Sequence, residues 1–495
     1  MEVFQMIEKQ SVQFRVLDEA QCDHIVKASL RILERTGCVV HHAGARKLME
    51  EAGCRINGDR VYVPVHIMEN AIRTVPSQAL IHNTKGDPVV ELGQKGKTYF
   101  ATAFENQYIV DRHTGEKRLT TKKDAYDAGL VIQALDNIDI ATGLCCVADC
   151  NPMAADIYET RMLLETTIKP QWIWQFTVEN LKTQLEMFAV VMGGMDKVLE
   201  KPPILPTAGA STPLAHSEDA LDKLMYMANL GLPCGYAVAT MMGGTAPITL
   251  ASSFALGIAD TFIGLLITQL VNPGVPFIST CWTDIFDMST MQISMSGPEV
   301  SLGAAAVTDI FHYLNIPAIV HLAESDCVTF DHQGALDYAM QAYTGVLADC
   351  DVCTFAGFIE EAMSCSLESL LYVDDVISQA KYIKAGITIN DDTLDLDTID
   401  EVGPNGNFLG TAQTSKYFRS RWNPAKYPTI RTSYENWKAS GEKDYIGRAV
   451  DKVDEIVADG PQYPLAPEVI AKLDEICKAA EEKHIKANGL GDAQK

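Results

Sequence analysis

Between Tyr99 and Phe358 the chain alternates short apolar runs with longer amphipathic segments, and it does so eight times. The candidate strands are Tyr99–Phe104, Ile138–Cys145, Gln171–Phe176, Ile204–Ala208, Cys234–Thr240, Pro276–Cys281, Ala318–Ala323 and Val352–Phe358. Parallel strands need crossover connections, and the segments between these runs carry helix signals. His216 to Leu230 is the clearest: Ser217 is a natural N-cap, Leu221, Leu224, Met225 and Ala228 share a face, and Gly231-Leu232-Pro233 stops the helix. Thr121, before Asp124, starts the first such helix in the same way. Eight strand–helix units close into a (β/α)8 TIM barrel of the α/β class, with an open doubly wound sheet as the alternative.

The flanks have a different pattern. Residues 1–95 predict an N-terminal α+β cap: a helix over Asp18–Thr36, a hairpin turn at Asn57-Gly58, a short helix over Val65–Thr74, and strands punctuated by Gly86, Gly93 and Gly96. The barrel then spans 96–390. Residues 391–495 predict a Gly-rich loop, EVGPNGNFLG, and a helical C-terminal extension whose Glu475–His484 stretch is charged and solvated.

Charge narrows the partners. Sixty-five acidic against 40 basic residues give a net charge of -25, which repels phosphate backbones and anionic lipid. Neither nucleic acid nor a membrane surface is expected as a partner. The most apolar stretch, Leu250–Val271, contains Asp260 and reads as a buried barrel helix or a subunit interface in a homo-oligomer. The amino terminus has no secretory pattern, and 13 irregularly spaced cysteines read as reduced thiols in a cytoplasmic, anaerobic setting. Cys350 and Cys353 form a lone C-x-x-C inside a predicted strand, and the 11 histidines include no H-x-x-x-H pair, so no zinc is expected.

Barrel chemistry sits at the carboxyl ends of the strands. Those ends, and the loops after them, carry Phe104, Trp174, Phe176, Trp282, Phe286, Phe330 and Phe358. Aromatic faces attract quaternary ammonium groups by about 0.5–2 kcal/mol each when desolvated. Any one of these rings serves equally well as core. Trp172, Trp174 and Phe176 alternate onto one face, inward or outward.

The ordered segments MMGGTAPITLA, QLVNPGVP, DMST, SGPEVSLGAAA and SDCVTFDHQGALDYA run from Met241 toward Tyr372, and GPNGNFLG, TAQTSKYFR and SYENWKASG follow. In this succession the chain resembles the trimethylamine:corrinoid methyltransferase family. Trimethylamine users in that family carry pyrrolysine in the segment matching Cys327–Phe330, where this chain has ordinary residues throughout. The family's H-T-x-x-H-F-R loop is here Gln413-Thr414-Ser415-Lys416-Tyr417-Phe418-Arg419. The resemblance implies methyl transfer from a quaternary amine to the Co(I) of a corrinoid supplied by a partner corrinoid protein. Glycine betaine is the leading substrate, and proline betaine, carnitine and γ-butyrobetaine are others. A quaternary ammonium leaves as a neutral tertiary amine and needs no proton donor, so no protein nucleophile or general acid is assigned.

The resemblance makes Phe104, Trp174, Trp282, Phe330, Phe355 and Phe358 candidates for a cation box. Phe355 is the weakest, because its odd spacing sets it on the opposite strand face from Phe358. Gln175 and Gln413 are candidates to hold the substrate's carboxylate through amide N–H groups, and Arg419 through charge. Gly243, Gly244, Asp326 and Asp331 are candidates for lining the corrinoid's approach, with helix capping as the alternative role of the two aspartates. Methyl transfer between a methylated pterin and a corrinoid, or non-catalytic quaternary-amine binding, are the competing readings.

Overall fold

The computed structural model describes residues 11–419 and 426–488. Its centre is a ring of parallel strands: β1 (Tyr99–Thr102), β2 (Gln171–Ile173), β3 (Ile204–Gly209), β4 (Cys234–Met242), β5 (Phe277–Asp287), β6 (Ala318–His321) and β7 (Val352–Ala356). They pair in the order β1-β7-β6-β5-β4-β3-β2. Residues 138–145 fill the gap between β1 and β2, touching each through one parallel bridge, Ala101 to Ile140 and Ala141 to Gln171. The protein is a TIM barrel, and eight helices follow the eight staves: Lys122–Ala134, Ala155–Thr166, Val178–Met192, Glu218–Leu230, Leu250–Val271, Pro298–Tyr313, His332–Leu347 and Leu367–Lys384.

Strand expectations change in several places, β2 ending at Ile173 rather than Phe176. The eighth stave is irregular because hydroxyls replace the ladder: Thr142 N donates to Thr102 Oγ1 at 2.8 Å, Thr142 Oγ1 donates to the Ala103 carbonyl, and Leu144 has φ +41°. β5 runs past Cys281 to Asp287 because β4 pairs with it as far as Met242–Ile285, and a return strand, Gln292–Ser294, pairs antiparallel beyond that. β7 stops at Ala356 rather than Phe358. Its register with β1 shifts between Cys353 and Ala356, and Phe355 and Gly357 take φ of +80° and +98°.

Leu250–Val271 is long and apolar enough to cross a membrane, yet 78% of its most apolar window is buried inside the fold. It lies directly on the barrel because Gly257 and Gly264 leave room for Cys281 and Tyr236, which a Cβ at either glycine would strike. Cap helices Glu19–Arg35 and Val65–Thr74 cover its other side. The Asp18 capping box forms as its residues dictate, whereas the hairpin turn falls one residue later than expected, at Gly58-Asp59, with Asn57 still in the strand and paired with Arg60.

The extension is not a solvated tail. Tyr445–Asp459 packs on Lys122–Ala134 and Leu367–Lys384, and Pro467–Asn488 packs on Ala155–Thr166 and Val178–Met192. Leu473 and Cys477, four residues apart, are fully buried on one face of that last helix. Within the stretch expected to be charged and solvated, Glu475, Lys478, Glu482 and Lys483 are exposed, while Tyr158 donates to Glu481 at 2.7 Å and His484 Nε2 is 2.8 Å from Asn180 Oδ1.

Candidate active site

The carboxyl ends of the strands open on an asymmetric funnel. Parallel pairing aligns Gly209 with Ala237, Ala239 with Trp282, and Met241 with Asp284, so these residues share the inward face. Ala239 is exposed, and Thr207, Gly209, Ala237 and Met241 are half-buried, although each lies on an interior strand of the ring. Small side chains on β3 and β4 therefore leave the inner wall open to solvent.

Next to these small residues the inward face is aromatic. Phe104 contacts Trp172 and Phe355 with ring centroids 5.1 and 5.4 Å apart. Trp282 lies 5.0 Å from Phe355, 6.2 Å from Trp172 and 6.1 Å from His321, and Phe355 lies 4.9 Å from Phe358. Trp172 donates from Nε1 to Thr207 Oγ1 at 2.5 Å, which fixes its ring inward. The Trp282 Nε1–H is buried and has no hydrogen-bond partner among the described residues.

Beside Trp282 stand three titratable groups. His321 Nδ1 is 2.5 Å from Glu324 Oε1 and 3.4 Å from Asp284 Oδ1. Burial pushes the Asp284 carboxyl up to about 7, Glu324 and Asp326 add to the rise, and His321 opposes it. Burial holds His321 below the usual imidazole range and Glu324 well above the carboxylate range, the latter helped by Asp326. Asp284 Oδ1 and Glu324 Oε2 also lack hydrogen-bond partners among the described residues.

The structure thus brings Phe104, Trp282, Phe355 and Phe358 together and leaves two of the expected rings apart. Trp174 packs on Phe176 at 4.8 Å and donates to Glu159 Oε2 at 2.9 Å. It follows the end of β2, where strand alternation no longer sets direction. Phe330 packs at 6.0 Å from Tyr338 and 5.5 Å from Tyr372, among the outer helices. Cys327 is buried, its thiol pushed up to about 11 chiefly by burial.

The polar candidates also sort by position. Gln175 is buried, with one amide N–H donated to the Thr207 carbonyl at 2.8 Å, and its atom without a partner is Oε1, an acceptor. Gln413 lies on the short helix Ala412–Tyr417, and exposed Arg419 stacks 5.0 Å from the Phe418 ring. No hydrogen bond among the described residues joins either to the aromatic wall. Asp331 caps His332–Leu347 through the Gln333 and Gly334 amides. Asp326 holds the return strand after β5, accepting from Ser294 Oγ, Met295 N and Ser296 N. Gly243 turns the chain after β4 at φ +84°, against Met288 and Ile248, and Gly244 follows it in the same turn.

Trp172, Asp284, His321 and Glu324 escape the sequence reading. The signal for Asp284 was available, since Trp282-x-Asp284 is an inward pair once β5 is extended. Among the described residues no cluster of three or more His, Cys, Asp or Glu side chains has the arrangement to hold a metal.

The fold and the strand-end site define a TIM-barrel protein, and the trimethylamine methyltransferase (MTTB) family matches residues 1–483. The chain belongs to that family. It is 27% identical over 467 residues to trimethylamine methyltransferase MttB of Desulfitobacterium hafniense strain DSM 10664 / DCB-2, covering 94% of this chain and 93% of that one. It is 25% identical over 467 residues to glycine betaine methyltransferase of D. hafniense strain Y51, covering 93% and 96%. The crystal structure of Methanosarcina barkeri monomethylamine methyltransferase (MtmB) has the same fold, with a TM-score of 0.55, 11% identity, and coverage of 90% of this chain and 88% of that one.

Proposed function

We propose that the protein transfers a methyl group from a quaternary amine, glycine betaine foremost, to the Co(I) of a corrinoid carried on a partner protein. The observation that carries this reading is the wall of Phe104, Trp172, Trp282, Phe355 and Phe358 beside the small, solvent-open side chains of β3 and β4. Such a wall attracts a trimethylammonium head through its π-faces, and the small side chains give one N-methyl group room to point outward. Burial strengthens that attraction by excluding water. The likeness to a glycine betaine methyltransferase supports the same class of substrate.

The corrinoid supplies the nucleophile, and the departing amine is already neutral once its C–N bond breaks. The chain's task is then to hold the methyl carbon in line and to keep water out. The rim suits a large flat co-substrate: Ile248, Met288, Met291 and Val328, on loops after β4, β5 and β6, are all exposed apolar side chains. Gly243 keeps the rim low, because a Cβ there would press on Met288 and Ile248.

The test is a panel of amines with reduced cobalamin, following methylcobalamin by its absorbance. Turnover with at least one betaine is expected. Turnover with a methylated pterin and no quaternary amine would overturn the reading, as would betaine binding without any methyl transfer.

A further inference from the structure

The aromatic wall accounts for the head of a betaine but not for its carboxylate, which cannot enter a dry site unpaired. No Lys or Arg among the described residues makes a hydrogen bond or ion pair with Asp284, His321 or Glu324. What the mouth does offer is unpartnered polar atoms on buried side chains around one imidazole: Trp282 Nε1, Asp284 Oδ1 and Glu324 Oε2. Trp282 is 8% exposed, Asp284 4% and Glu324 1%. A buried polar atom without a partner costs ~1–3 kcal/mol, so such atoms gathered at a funnel wall mark a ligand's contacts.

The surroundings decide what each atom offers. Trp282 Nε1–H is a donor only. Glu324 is faced by Asp284 from β5, His321 from β6, Asp326 two residues on, and Gln341, Tyr338 and Asp337 from His332–Leu347. Gln341 Oε1 accepts from the Glu324 amide, Tyr338 donates to the Phe358 carbonyl, and Asp337 is held by Ser296 and Ser325. Every ionisable neighbour is acidic or a neutral imidazole, so nothing there favours an ionised Glu324. In the tautomer in which His321 Nδ1–H donates to Oε1, the Glu324 proton resides on Oε2, where it is free to donate.

We infer that the carboxylate of a betaine substrate is bound by two uncharged donors, the Glu324 carboxyl oriented by His321 and the Trp282 indole N–H. Glu324 is then a specificity residue, and His321 a positioning residue acting through it. The assignment rests on the quaternary-amine reading of the same site and replaces Gln175, Gln413 and Arg419 as the carboxylate anchor. It also explains how an acidic mouth admits a zwitterion.

The experiment measures binding of glycine betaine and of tetramethylammonium, which has the head and no carboxylate, by calorimetry on the full-length protein. Glu324→Leu should weaken glycine betaine by about tenfold to a hundredfold and leave tetramethylammonium within a few-fold, the loss of one charge-assisted hydrogen bond. Glu324→Gln keeps a donor in the Oε2 place and should restore most of that affinity. Trp282→Phe, which keeps a ring and removes the N–H, should lower the betaine-to-tetramethylammonium affinity ratio. These two conservative variants decide the matter even if Glu324→Leu does not fold. Equal losses for both ligands in Glu324→Gln would make Glu324 an anionic counter-charge to the head and overturn the inference, while the quaternary-amine reading stood. Unchanged betaine affinity in the folded variants would also overturn it. A wild-type protein that binds neither ligand defeats the quaternary-amine reading itself, and the anchor with it.

Discussion

The rings of Phe355 and Phe358 lie 4.9 Å apart, although an odd spacing puts such residues on opposite faces of a regular strand. The left-handed backbone at Phe355 (φ +80°) and Gly357 (φ +98°) makes the contact possible. Positive φ at a bulky non-glycine residue costs of order 1–3 kcal/mol and persists where the surroundings over-determine it. Here the strain turns two aromatics into one wall of the funnel.

Gly357→Ala tests that relationship. An added Cβ would meet Leu144 at 2.9 Å and Leu370 at 3.1 Å while also opposing the φ the turn requires. We expect a loss of stability of about 1–3 kcal/mol, together with weaker quaternary-amine binding. Urea unfolding and calorimetry check the two effects. Wild-type affinity in a destabilised variant would separate the turn from the site.

Trp282→Leu keeps an apolar side chain and removes most of the π attraction at the centre of the wall. Quaternary-amine affinity should fall by about 1–2 kcal/mol, several-fold to tens-fold, with the fold retained by circular dichroism. Unchanged affinity would reassign Trp282 to packing.

Trimethylamine should be a poor substrate beside a betaine. At neutral pH it is mostly protonated, its N–H would be stranded against apolar rings, and it has no carboxylate for an anchor. The missing charge-assisted hydrogen bond alone is worth about tenfold to a hundredfold. Parallel assays with trimethylamine, tetramethylammonium, glycine betaine, proline betaine and carnitine check this. Equal turnover of trimethylamine and the best betaine would refute the quaternary reading of the 327–330 segment.

Stability should depend on pH through Asp260, which is fully buried at the helix–barrel junction and accepts from Leu214 N at 3.1 Å. Burial pushes its carboxyl from 3.8 up to about 7. The native state therefore holds this proton over a range where the unfolded chain has lost it. Its contribution is full at the acidic end and declines as pH rises from near 3.8 through about 7. Asp260→Asn, neutral at every pH, should flatten the fall in denaturation midpoint across that window. An unaltered pH profile in the variant would show that Asp260 is ionised when folded.

The barrel was legible in the sequence because its determinants are local. Strand and helix periods alternate eight times, Asp18, Thr121 and Ser217 cap their helices as written, and Gly231 ends the Glu218–Leu230 helix in a left-handed turn. The family, too, could be read from ordered short segments, since each is a string of neighbours. Phe104, Trp282 and Phe358 were legible as mouth residues because they fall at or near strand ends. Their convergence was not, because each comes from a different stave and only ring closure sets them face to face.

Tertiary structure decided the rest, for reasons no window of sequence contains. The length of β5, and with it the inward place of Asp284, depends on β4 and on the returning strand at Gln292–Ser294. Trp172 and Trp174 have the same alternation, yet β2 ends between them, and Glu159 from a helix draws Trp174 away. Phe330 was expected at the mouth from its place in the loop after β6, but the Tyr338 and Tyr372 rings bury it among helices. The His321–Glu324 pair gains its character from burial beside Asp284 and Asp326, because a proton's preferred place depends on the charges and solvent around it.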